Sequence, residues 1–152
     1  MENLKQLISI AVYVLFTSGF DSYFYGRGEK GYFKWLFKHF NWFGRDVPMR
    51  YRILQKTVEL GGLTAVFIFG GFWCVAACLI CHYFMLLDRL YYIFNGQEEN
   101  IKKYEEQNGD PFWLTPFWFS GFFFFKNGFT VAKFNTSALI GIVISLIIII
   151  IS

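Results

Sequence analysis

Twenty-eight consecutive residues, Leu60 to Leu87, carry no charged side chain. A run of that length exceeds the ~20 apolar residues that cross a hydrocarbon core of ~30 Å, so the chain is expected to fold in a bilayer. Composition agrees, with 55% of the 152 residues hydrophobic and a mean hydropathy of +0.39. Two further apolar stretches accompany the long one. Leu7 to Phe20 has the length of a signal-peptide core, with Thr17, Ser18 and Gly19 small enough for a cleavage site. The preferred reading is a retained first span over residues 4–20. A last span is expected over residues 129–151, after the turn signal Lys126-Asn127-Gly128 and with Lys133 near its start.

Between these lie two segments of mixed character. Residues 30–45 place Lys30, Lys34, Lys38, Asn41 and Arg45 on one narrow arc of a helix, with Tyr32, Phe33, Trp35, Leu36, Phe37, Phe40, Trp42 and Phe43 filling the rest. Such a stripe suits an amphipathic helix in the headgroup region, its lysines reaching water and its indoles at the interface, or a helix buried against partners with only the lysines wet. Residues 112–125 are uncharged but hold Pro116 and Gly121 and are short for a straight span. They read as a re-entrant segment or a thin crossing, the crossing being narrowly preferred. The expected fold is therefore an all-α integral membrane protein of three to four transmembrane helices plus an inner-surface amphipathic helix, in one membrane domain over 1–152.

Asp46 and Pro48 mark a helix start, and Asn95-Gly96 a stop, so a single long helix is expected over about 48–94. Charge then predicts sidedness. Residues 21–59 hold eight Lys/Arg and four Asp/Glu, whereas residues 88–111 hold three and six. The Lys/Arg bias puts loop 21–59 on the cytoplasmic or matrix side of a bacterial or mitochondrial inner membrane, and loop 88–111 on the opposite side. Within the second loop, Glu98 and Glu99 precede Lys102 and Lys103 by four residues, which favours a short solvated helix.

One motif invites chemistry. Cys78-Leu-Ile-Cys81-His82 has the spacing of a c-type haem attachment site, in which two thiols form thioethers and the histidine ligates iron. A packing account covers more residues: Gly70, Cys74, Ala77, Cys78 and Cys81 fall on one helical face as a stripe of small side chains that lets another helix approach closely. The packing reading is preferred over covalent haem at Cys78 and Cys81. His82 is weighed separately, because an ionisable residue within a span is a functional candidate. It could bind haem or chlorophyll, although no cofactor is the first expectation. A straight helix would place it ~33 Å from Leu60, too far to share a haem with His39 in the first loop.

No serine-histidine-acid set or phosphate-binding glycine loop is present, and the long spans show no central acid or base to couple an ion. An enzyme is not expected, nor is a nucleic-acid partner, since the basic residues alternate with membrane-seeking aromatics. The leading functional expectation is an accessory or structural subunit of a respiratory, photosynthetic or secretion complex, with other membrane subunits and lipid headgroups as partners. Two alternatives are a membrane-perturbing effector or its immunity partner, and a pigment-carrying anchor using His82.

Overall fold

The computed structural model describes residues 2–24, 49–106 and 130–152. Their elements are all helices: α1 (Glu2–Phe24), α2 (Met49–Tyr83), α3 (Leu86–Phe94), α4 (Glu98–Glu106) and α5 (Val131–Ile151). The chain is thus an all-α membrane protein, with α1, α2 and α5 each long and apolar enough to cross a bilayer. The amphipathic segment at 30–45 and the short segment at 112–125 lie outside the described residues.

The long helix expected over 48–94 is broken twice. At Gly71 the backbone takes φ 78° and ψ −173°, a region open in practice only to glycine because any Cβ would collide with the adjoining backbone. Side-chain contacts show how far the chain turns there. A Cβ on Gly62 would lie 2.9 Å from the Tyr13 ring, and the hydroxyl of that ring is 2.7 Å from His82 Nε2. Twenty residues of straight helix would separate Gly62 from His82 by about 30 Å, several times the reach of one tyrosine. Tyr51 and Gln55 both donate to Asp21, while the next residue on α1, Ser22, donates to Asn95. The two ends of the segment therefore meet, and α2 is a helical hairpin with its tip at Gly71.

The second break follows Tyr83. Met85 has φ 63°, the left-handed region, and starts α3. A left-handed residue with a side chain costs about 1–2 kcal/mol, and the surroundings compensate. Phe84 N–H still donates to Ile80, Met85 N–H to His82, and the Phe84 carbonyl accepts the Ser137 hydroxyl of α5 at 3.0 Å. A polar group left unpaired in hydrocarbon costs several kcal/mol, and these bonds keep backbone groups at the break paired.

Four helical rods result, side by side: α1, the first arm of α2 (49–70), the second arm continuing into α3, and α5. The first arm is antiparallel to α1, the second arm runs parallel to it, and α5 is antiparallel to the second arm, pairing Ser145 with Ala77 and Asn135 with Arg89. The core is built where their small faces meet, from Ile10, Tyr13 and Val14, through Val66, Cys74, Ala77, Cys78 and Cys81, to Ala138 and Ile149.

The hairpin corrects the sidedness read from charge. The C-terminal end of α1, the start of α2, the end of α3, helix α4 and the start of α5 all gather at one end of the bundle, with Val131 N–H donating to Glu105 there. The described residues 21–24, 49–59 and 88–106 hence gather at one end of the bundle, not at opposite ends. The earlier inference assumed a straight helix, in which 28 uncharged residues move the chain from one face to the other. Here the polar end carries Asp21, Gln55, Arg89, Glu98, Glu105 and Lys133, and the other end carries Glu2 and Lys5 among the described charges.

Candidate functional site: a polar core on one side of the bundle centre

The buried face of α1 changes character halfway along. Ile10 and Val14 are apolar, but Tyr13, Thr17, Ser18 and Ser22 are buried as well, spaced by three or four residues so that they form one ladder. Asp21 adjoins its upper end, accepting from Tyr51 at 2.5 Å and from Gln55 at 2.8 Å. Tyr13 is at its foot, and it is the central residue of α1, about 16 Å from either helix end. The ladder thus descends from the polar end to the middle of the bundle.

His82 meets it there. The two arms of the hairpin bring the imidazole to Tyr13, and the first arm adds Glu59, which is 9% exposed and paired with Lys56 at 2.5 Å. Glu59 precedes Gly62 by three residues, one helical turn nearer the polar end. The absence of a bare glycine neighbour would close this site, because the Tyr13 ring fills the space that a Cβ on Gly62 would occupy. The expectation that no acid or base sits centrally therefore fails for a geometric reason. Folding at Gly71 places Glu59 and His82, 23 positions apart, around one tyrosine. The ~33 Å span that separated His82 from the first loop disappears for the same reason.

The five stripe residues have distinct places. Cys74, Ala77, Cys78 and Cys81 are all buried, whereas Gly70 is partly exposed beside the hairpin tip, where its Cβ would meet Cys74 Sγ at 2.6 Å and Ser9 at 3.7 Å. Two helices of the same chain cover them: α1, whose Gln6 carbonyl faces Cys74 Sγ at 3.9 Å, and α5, whose Ser145 hydroxyl lies 3.3 Å from Cys81 Sγ and 3.0 Å from the Ala77 carbonyl. The stripe is expected to let another helix approach closely, and the helices that lie against it belong to this chain. All three thiols are free. Pigment ligation by His82 would require Nε2 to exchange its Tyr13 partner for a metal, or ligation through Nδ1. The interface residues Lys30, Lys34, Lys38, Trp35 and Trp42 lie outside the described residues.

Sequence reasoning overlooked Tyr13 and the α5 face. Tyr13 sits in an apolar run where tyrosine reads as lipid-facing, and nothing local distinguishes it. The α5 face did carry a signal: Ser137, Gly141 and Ser145 recur every four residues, the small-xxx-small pattern of close helix packing. Gly141 lies directly against Phe84, where a Cβ would come within 2.7 Å of that side chain.

A separate knot closes the polar end. Arg89 donates to Glu98 through both terminal nitrogens, at 2.6 and 3.1 Å, and through Nε to Asn135 at 2.6 Å, with its guanidinium 5.9 Å from the Phe134 ring centre. This forked pairing ties α3, α4 and α5 together. It also redirects Glu98, which the sequence had paired with Lys102. Comparison with known protein families, with curated proteins and with solved structures found no match for the chain.

Proposed function

We propose that this protein is a non-catalytic structural subunit of a multi-subunit complex in a bacterial or mitochondrial inner membrane. The observation that carries the reading is the division of its surface. Outward faces of the long helices present Phe16, Phe67, Phe72, Trp73, Leu139 and Ile150, whereas Tyr13, Thr17, Ser18, Ser22, Ser137 and Ser145 turn inward among the bundle's own helices. A broad, stiff aromatic and aliphatic exterior suits lateral contact with other membrane helices, in which van der Waals fit supplies the association energy.

Charge supports an orientation with the polar end toward the cytoplasm or matrix. Among the described residues Lys56, Arg89, Lys102, Lys103 and Lys133 lie toward the polar end, and the opposite end of the bundle holds Lys5. The test is extraction from the native membrane in mild detergent, followed by the mass of the native particle. Migration far above 17.9 kDa plus a micelle, with stoichiometric companions, is the expected outcome. A stable, active-looking monomer free of companions overturns it.

A further inference from the structure

The polar ladder is more than bundle adhesive, because it runs from the polar end of the bundle to an ionisable residue at its middle. We propose that the polar half of the bundle is a one-sided proton entry leading to a proton-accepting site formed by His82 and Tyr13 at mid-bundle. Three features converge on this. The rungs Asp21, Ser18 with Thr17, and Tyr13 descend by three or four residues each, or about 5 Å per step. Ser18 Oγ is 1% exposed and has no hydrogen-bond partner among the described residues, and Asn95 Nδ2 at the mouth has none either. Buried polar atoms of that kind call for water as the missing partner. Below Tyr13 the core is Ile10, Leu63, Val66, Cys74 and Cys78, with Gln6 Oε1 and the Ser145 hydroxyl as buried polar atoms, and among the described residues no buried carboxylate or imidazole lies there to carry a proton onward.

The groups facing His82 come from every packed element. Tyr13 faces it from α1, and Glu59 with Lys56 from the first arm; Cys78 and Cys81 share its own arm. On α3, Asp88 and Arg89 lie toward the polar end, and Lys133, also at that end, is the single titratable residue of α5. Glu59 is the one buried acidic side chain among the described residues, one helical turn from the Gly62 that packs on Tyr13. Uptake transfers one proton from hydronium at the polar end to an imidazole lone pair, leaving water and an imidazolium. With Nε2 as acceptor, the Tyr13 O–H donates beforehand; afterwards Nε2–H donates to the phenolic oxygen, and the phenol hydrogen turns toward Thr17, one helical turn away. Because the site lies at mid-depth, a proton entering it crosses about half of any membrane potential. Occupancy then changes on the order of sevenfold per ~100 mV.

The experiment uses the full chain in lipid nanodiscs, ¹⁵N-labelled at histidine and carrying His39→Asn, so that His82 is the only histidine. As bulk pH falls from about 8 to about 5, the His82 ring nitrogens are expected to pass from an unequal neutral pair to the matched pair of an imidazolium. In T17V/S18A, which removes the two central hydroxyls with little change in volume, deuterium uptake at the imidazole-phenol contact, read by infrared difference spectra, slows by on the order of tenfold. Ring nitrogens that stay neutral throughout overturn the accepting site. Uptake as fast in T17V/S18A as in the parent overturns the entry path.

Discussion

Tyr13 is the residue on which the bundle's interior turns. Its ring packs against Gly62 of one arm and its hydroxyl bonds His82 of the other, so a single side chain joins α1 to both halves of the hairpin. Hydrogen bonds between membrane helices average ~0.6 kcal/mol and reach about 1.7 kcal/mol. Tyr13→Phe keeps the ring and loses the bond, so it is expected to destabilise the bundle by about 1 kcal/mol. A double-mutant cycle with His82→Asn, followed by reversible unfolding in detergent, should show coupling of similar size, and strictly additive effects would deny the contact. None of this was legible in the sequence. Tyrosine at position 13 and histidine at position 82 become neighbours only through a reversal elsewhere in the chain.

At the scale of the helices, α5 is held by fit. Ser137, Gly141 and Ser145 lie on one face, and the second arm of α2 with Phe84 settles against them through two hydroxyl-to-carbonyl bonds. Gly141→Leu forces a side chain into the Phe84 Cβ and should cost about 1–3 kcal/mol, with α5 detaching first. Protease susceptibility of α5 in detergent measures this, against Leu139→Ala on the lipid-facing side as the neutral comparison. Helix content was well marked in the sequence, since apolar runs must be helical to satisfy their backbones in lipid. The first helix extends a turn beyond the expected 4–20, and the last begins at Val131, where the Thr130 hydroxyl accepts from Lys133 N–H. The break before α3 was hidden, because Met85 gives no local sign that its backbone will turn left-handed.

For the molecule as a whole, the arrangement of charge follows from the hairpin. Single cysteines at Gln55 and Gln97 should label with a membrane-impermeant thiol reagent from the same side of sealed vesicles. Labelling from opposite sides would mean that α2 crosses as one straight rod. The sequence shows the apolar run with the Gly70-Gly71 pair inside it, but a straight or kinked helix and a full reversal look alike in composition. What decides between them is whether α1 and α5 offer small-residue faces on which two arms can lie. That information is spread over residues 9–22 and 137–145, far from the turn itself.

Gly71 also fixes an arithmetic of insertion. A chain that doubles back adds two passages or none, so every segment after the hairpin inherits the compartment of the segment before it. With Gly71→Leu, the run from Leu60 to Leu87 is expected to straighten into one passage. Gln97 would then label from the far side while Gln55 keeps its place, and α5 would enter the bilayer from the wrong compartment. One residue without a side chain therefore sets the parity of the whole carboxyl-terminal half, and the address at which each later charge is delivered during synthesis.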